Sequence, residues 1–310
     1  MKKLIITIDT EGDNLWSWKI GNPIKTQNVY FLQRFQDLAN KYGFKPVWLT
    51  NYEMIMNDDY VEFITGVESR GEGELGMHLH AWSTPNEYNL DNSLGGQPYL
   101  IEYPNEIMEE KIEIMTQAIK ERTGITPTTH RAGRWAMNQK YFQLLSKYGY
   151  KVDCSVTPHI DWSNTVGQSQ GSCGSDYSNE SETPYYVNNI LEVPMTIRET
   201  KHFFAPQRKN IKSFGGSIVR SIRGQKLWFR PNGKNIQQME WLLDEVGKSQ
   251  SDYIMFMLHS SELMPGGSPT FKTEEQINKL YTDLEYLFRK ANHFEGITLR
   301  EYGKQYKDRK

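Results

Sequence analysis

Several residues able to do acid–base or metal chemistry stand where short apolar runs end. His78 and His80 close one run, Asp9 and Glu11 follow another, and Arg131, Asp153 and His259 end or interrupt three more. Side chains alternate along an extended strand, so His78 and His80 share one face, as do Asp9 and Glu11. Two imidazoles on one face are natural first ligands for a divalent metal, and a carboxylate from an adjacent strand would complete the site. Taken alone, the pair reads first as two surface histidines. Of Asp9 and Glu11, one would bind metal while the other handles protons; a charged turn is the plainer alternative, and Asp13 extends the same acidic group. His259 follows Ile254-Met255-Phe256-Met257-Leu258, which makes it either a buried hydrogen-bonding histidine or a general acid/base. Asp153 is the candidate to orient it. Arg131 would pair with Asp9 and hold it ionised, with a purely structural ion pair as the alternative.

The elements that must position these residues alternate along the chain. Apolar runs predict strands over 2–8, 46–50, 74–80, 128–131, 152–155, 253–259 and 296–299. Helical spacing and stop signals predict helices over 27–42, 58–68, 104–122, 139–148, 232–248 and 273–292. Repeated β-then-α order implies α/β architecture, a mainly parallel sheet with helices outside. Seven or so strands suit a TIM-like barrel, complete or broken, with an open doubly wound sheet as the alternative. No linker divides the chain, so residues 1–310 are read as one domain. Two long polar loops, 81–103 and 156–189, follow predicted strands at their C-terminal ends, the catalytic face of a parallel barrel. No glycine-rich nucleotide cradle follows the first strand.

Composition narrows the classes. The 36 Lys and Arg nearly balance the 38 Asp and Glu, which argues against a general nucleic-acid binder. Two cysteines cannot staple 310 residues, so the fold stands on packing. The apolar run after Lys2 and Lys3 is short for a secretory signal, and no stretch approaches a membrane span; a cytoplasmic location is expected. Aromatic residues make up 13% of the chain. Most should fill the core, but exposed rings also serve as platforms for sugar faces, and Trp82, Trp135, Trp162 and Tyr177 lie after strand ends. The stretch 201–230 carries Lys201, Arg208, Lys209, Lys212, Arg220, Arg223, Lys226 and Arg230. It reads first as a solvated helix face, with contact to an anionic glycan or a phosphorylated lipid carrier as the alternative.

In order and content these motifs resemble the polysaccharide deacetylases, the NodB-like carbohydrate esterase family 4. The resemblance is carried by Thr7-Ile8-Asp9-Thr10-Glu11, by Glu74-Leu75-Gly76-Met77-His78-Leu79-His80, by Arg131-Ala132-Gly133-Arg134-Trp135, by Asp153-Cys154-Ser155 and by Leu258-His259. His78-Leu79-His80-Ala81-Trp82 and the run from His259 through Ser260-Ser261-Glu262-Leu263-Met264-Pro265 to Gly266 look most like the WalW-like branch associated with lipopolysaccharide and exopolysaccharide biosynthesis. Two positions depart from the family pattern. Thr10 stands where the family has its second aspartate, so Glu11 would inherit the ligand role. Trp82 stands at the second family histidine, so His80 must substitute.

The resemblance implies a distorted (β/α)7 barrel and a metal-dependent hydrolase that removes N- or O-acetyl groups from a sugar of a cell-surface polysaccharide or its precursor. Glu11, His78 and His80 would hold a divalent ion, zinc first, with Asp13 a further candidate. Asp9, kept ionised by Arg131, would act as base, and His259, oriented by Asp153, as acid. Trp82, Trp135, Trp162 and Glu262 would shape the sugar pocket. The implied partner is an acetylated sugar or polysaccharide precursor, with no nucleic acid, no integral membrane segment and peripheral contact with a lipid-linked glycan. Two other readings stand beside it: a catalytically impaired carbohydrate-binding member of the same fold, and a metal-dependent C–N hydrolase acting on a small molecule.

Overall fold

Every residue of β1 (Lys3–Thr10) is buried, as expected of a parallel strand covered on both faces. Its alternation divides the core. Leu4, Ile6 and Ile8 point outward into a layer shared with Phe35, Trp48 and Phe256. Ile5 points inward with Val47, Leu49, Met255 and Met257, and the same period carries Thr7 and Asp9 into the curl of the sheet. The computed structural model describes residues 1–19, 21–86, 88–205 and 211–307.

The strands that follow are β2 (Pro46–Thr50), β3 (Glu74–Leu79), β4 (Thr129–Ala132), β5 (Val152–Asp153), β6 (Tyr185–Val187), β7 (Ile190–Glu192), β8 (Ile197–Thr200), β9 (Gln225–Trp228), β10 (Tyr253–His259) and β11 (Glu295–Gly296). The main sheet runs β10-β1-β2-β3-β4-β5-β7-β6, with β11 also paired to β1. Its ladders are parallel except β6 against β7. Register brings the chemistry-bearing residues side by side: Asp9 opposite His259, His78 opposite Arg131, His130 opposite Asp153 and Asp153 opposite Glu192.

The ring between β7 and β10 is bridged by irregular backbone rather than a ladder. Met255 N–H donates to Thr196 Oγ1 at 2.8 Å and Met257 N–H to Phe229 O at 3.2 Å. The result is an α/β half-barrel: a mostly parallel curled sheet with helices around it. β8 and β9 form a separate antiparallel pair beside the gap.

The helices are α1 (Leu32–Lys41), α2 (Tyr52–Ile55), α3 (Asp58–Ser69), α4 (Asn105–Thr123), α5 (Gln139–Lys147), α6 (Ile211–Arg223), α7 (Ile236–Lys248), α8 (Glu274–Lys290) and α9 (Leu299–Lys307). Local chemistry explains their ends. Asn57 and Asn138 cap α3 and α5 through side-chain oxygens, Thr273 and Gln276 form a capping box on α8, and Gly124 ends α4 at φ 73°. No helix among the described residues is long and apolar enough to cross a membrane.

The differences from the sequence reading lie mostly after residue 150. The predicted helix over 27–42 opens with a 3₁₀ turn at Gln27–Phe31. The strand predicted over 152–155 pairs only at Val152–Asp153, because the side chains of Asp153 and Ser155 turn back onto neighbouring backbone. The strand predicted over 296–299 is Glu295–Gly296, and Leu299 already begins α9. β6 through β9 and α6 carried no clear signal, being short, half-exposed strands and a helix in a basic stretch. Arg208 and Lys209 of that stretch lie outside the described residues.

Candidate metal and acid–base site

The C-terminal ends of β1, β3, β4 and β10 meet at a cavity of about 300 Å³. Glu11, His78 and His80 lie together at its floor, all buried, with one donor atom from each within 4.8 Å of the others. His78 Nε2 is 3.7 Å and His80 Nε2 3.5 Å from Glu11 Oε2. Among the described residues this is the group of three such side chains placed to hold a metal ion.

The surroundings suit a divalent cation. His78 Nδ1 lies 2.9 Å from the carbonyl of Arg131, so it donates there and leaves Nε2 free, the outer-shell arrangement usual for a ligating histidine. His80 Nδ1 is buried without a partner among the described residues. Burial, reinforced by His78 and His259, pushes the His80 pKa well down and keeps the ring neutral, as a ligand must be. Burial also works against a charged His78, but Asp9 and Glu11 outweigh it and raise its pKa. A carboxylate and two imidazoles form a borderline donor set suited to zinc and its neighbours.

Gly133 belongs to this floor. A Cβ there would stand 2.3 Å from His80 Cδ2 and 2.5 Å from Leu79 O, so only glycine lets β4 turn this close to the imidazole. The next two residues, Arg134 at φ 54° and Trp135 at φ 63°, are both left-handed, a strained conformation for such side chains. The surroundings hold it in place. Arg134 donates to Gln97 O and, at 2.9 Å, to Val166 O, and the Tyr177 hydroxyl donates to Trp135 O.

Asp9 stands beside the triad with Arg131 behind it. Arg131 Nη1 donates to Asp9 Oδ1 at 2.6 Å, Nη2 to Thr7 Oγ1 at 2.9 Å and Nε to Cys154 O at 3.2 Å. Burial raises the Asp9 pKa, but Arg131, with His78 and His259, more than reverses this and holds the carboxyl below its ordinary value. His259 faces it across the cavity, with Nε2 3.9 Å from both Asp9 Oδ2 and Glu11 Oε1.

Three expectations are corrected. Asp153 does not orient His259. It is fully buried at the neighbouring strand pair, with Oδ1 2.5 Å from His130 Nδ1 and further bonds from Ser155. Glu262 takes the orienting position instead, 3.0 Å from His259 Nδ1, and is itself buried rather than lining the pocket. The chain turns back in a 3₁₀ turn straight after β10, which brings a residue three positions on beneath the imidazole. Asp13 lies outside the triad; its carboxylate accepts the N–H groups of Gln27 and Asn28 and so starts the turn before α1.

Trp82, Trp135 and Trp162 all line the cavity. Trp82 stacks on His80 at 4.1 Å, and its indole N–H is buried without a partner among the described residues. Trp16 and Arg230 also line it; neither was read as a residue of this site. Trp16 meets His259 edge-on at 4.9 Å, and Trp18 stacks on Trp82 at 6.3 Å. The pair Trp16-x-Trp18 just after the first strand was a usable signal. Arg230 stood only as one cation of the 201–230 stretch, read first as a solvated helix face; it lies two residues past β9, where nothing local marks it for the site.

Comparison with known proteins gives the frame. No family model matches the chain, and no curated protein does. A protein assigned as a polysaccharide deacetylase from Mycobacterium smegmatis superposes with a TM-score of 0.54 at 12% identity, over 99% of this chain and 91% of that one. A 4-alpha-glucanotransferase from Thermococcus litoralis gives 0.53 at 12% identity, over 99% of this chain and 40% of its own. A family 4 acetyl xylan esterase from Clostridium thermocellum, in complex with a cobalt ion, gives 0.44 at 13% identity, over 98% and 91%. The first two carry different chemistries by name, so the shared fold does not choose the reaction; the residues at the strand ends must. The chain has the distorted-barrel fold shared with the first two of these proteins.

Proposed function

We propose that the protein is a metal-dependent hydrolase that removes acetyl groups, N- or O-linked, from a sugar of a cell-surface polysaccharide or its precursor. The observation that carries this reading is the buried Glu11–His78–His80 group flanked by an arginine-held carboxylate, Asp9, and by an imidazole, His259. An acetyl transfer to water needs this set: a base, an acid and an electrophile around one carbonyl.

Glu11, His78 and His80 would hold the ion, with zinc the first expectation. When bound, a divalent cation supplies Lewis-acid polarisation and lowers the pKa of water. Asp9 accepts the proton of the attacking water, and Arg131 keeps it ionised until then. His259 delivers a proton from Nε2 to the departing sugar nitrogen or oxygen, while Glu262 supports the ring through Nδ1. Trp82, Trp135 and Trp162 form aromatic walls for the sugar. The finer assignment, to the WalW-like branch, rests on His78-Leu79-His80-Ala81-Trp82 and the run from His259 to Gly266.

Acetate release from acetylated oligosaccharides by metal-replete protein tests this reading. Wild type should release acetate, Asp9→Asn should not, and Asp9→Asn should still bind one equivalent of metal. A protein that binds glycan but releases no acetate would be the carbohydrate-binding alternative. A protein that holds no ion under metal-replete conditions would exclude the mechanism.

A further inference from the structure

Helix α6 presents its apolar residues to solvent. Phe214, Ile218 and Ile222 recur every fourth residue, and Val219 lies beside them on the same arc. Their exposures are 52%, 40%, 67% and 46% respectively, whereas Ser217 on the opposite flank is buried. A helix packed on a barrel normally turns this pattern the other way, apolar face inward. Phe203, also exposed, extends the surface; its ring lies 5.7 Å from Phe214.

The border of this surface is cationic. Lys201, Arg220, Arg223 and Lys226 are exposed around it. No Asp or Glu occurs between Thr200 and Met239. Among the described residues no carboxylate pairs with Arg220 or Arg223; Arg220 donates only to Ser217 Oγ, and Lys226 lies 3.7 Å from Glu199. A second copy docking through the same face would bring these cations together with no acid in the stretch to meet them. An anionic lipid surface meets both features at once, apolar residues entering the acyl boundary and cations resting among the headgroups.

We propose that α6, with Phe203, docks the protein on an anionic bilayer. Gly224 ends the helix, and β9 then leads into Trp228 and Arg230. Trp228 contacts Trp135 and Trp162, and Arg230 lines the cavity. Four residues of strand span about 13 Å, so docking sets the cavity near lipid-attached material. The docking claim stands apart from the acetyl-hydrolase reading, because its test does not use activity.

The experiment is flotation of the full chain with vesicles of phosphatidylglycerol mixed into phosphatidylcholine, against vesicles of phosphatidylcholine alone. Wild type should float with the anionic vesicles and detach as salt rises. Ile218→Glu with Ile222→Glu should reduce binding on the order of a hundredfold, with unchanged circular dichroism and melting. Arg220→Gln with Arg223→Gln should reduce it on the order of tenfold and flatten the salt dependence. Equal flotation with both vesicle types, no flotation with either, or full binding by the Ile218→Glu/Ile222→Glu variant would overturn the proposal. So would a wild-type dimer in sedimentation that this variant converts to monomer without wild type having bound vesicles.

Discussion

Glu262 closes back on His259: its Oε2 accepts the backbone N–H of His259 at 3.0 Å and lies 3.0 Å from the ring Nδ1. Arg230 Nη2 approaches the same carboxylate at 3.3 Å and the same ring nitrogen at 3.1 Å. A carboxylate can only accept, so the Nδ1 that faces Glu262 carries a proton toward it, and Arg230 shares that acceptor rather than donating to the ring. Burial raises the Glu262 pKa, but Arg230 and His259 overcome this and keep it below its ordinary value. The ring is thereby held with Nε2 toward the cavity. Glu262→Gln is expected to lower kcat by about 10²-fold with little change in KM. Steady-state acetate release checks this, and an unchanged kcat would remove Glu262 from the acid's support.

Gly133→Ala forces a methyl group against His80 and Leu79 O. Metal affinity should fall by roughly 10–100-fold, as for other disturbances behind a ligand. Titration calorimetry with zinc would measure the loss. Thermal melting with and without metal separates it from simple unfolding, since wild type should gain about 2.7 kcal/mol at metal a hundred times above Kd. A variant that gains as much as wild type would show that the close approach does not govern the ligand.

The buried group His130, Asp153 and Glu192 should respond unevenly to substitution. Burial and the neighbouring Asp153 push the Glu192 pKa well up, while Asp153, despite its burial, is held low, chiefly by His130. Glu192 therefore keeps its proton beside Asp153; its Oε1 accepts the N–H of Val156 at 3.0 Å, and its Oε2 is buried without a partner among the described residues. Glu192→Gln preserves a neutral side chain of the same shape, with an oxygen to accept the N–H of Val156, and should melt close to wild type. Asp153→Ala leaves His130 and Ser155 without their acceptor and should cost about 2 kcal/mol or more. Denaturant unfolding of both variants tests the sharing; equal losses would contradict it.

Lys111 makes stability depend on alkaline pH. Its Nζ donates to Thr84 O at 2.7 Å and so ties down the loop that follows His80 and Trp82. Burial lowers its pKa from 10.5 to about 8. The folded chain thus releases this proton before the unfolded chain does, and unfolding takes up protons between these values. Stability relative to Lys111→Met should therefore rise from about pH 8 toward 10.5 and be flat below that window. Urea midpoints of the two proteins across the range provide the check, and a difference that does not change with pH would refute the assignment.

What the chain determines locally was legible without coordinates. Period-two alternation placed His78 with His80 and Asp9 with Glu11, and apolar runs placed β1, β2, β3 and β10 to within a residue or two. Strand ends in a parallel sheet converge, so the pairing of Arg131 with Asp9 could be read from the residues, whereas the choice of Glu11 beside His78 and His80 came from the family resemblance. Glu262 holds the part expected of Asp153, because a partner choice within the curl depends on lateral register. Asp153 lies opposite His130, not His259, and only the turn after β10 brings Glu262 beneath His259. Trp16, Arg230 and the outward face of α6 were likewise decided by tertiary structure. Pattern in a sequence gives the period of an apolar face, and packing alone decides whether that face meets the core or the solvent.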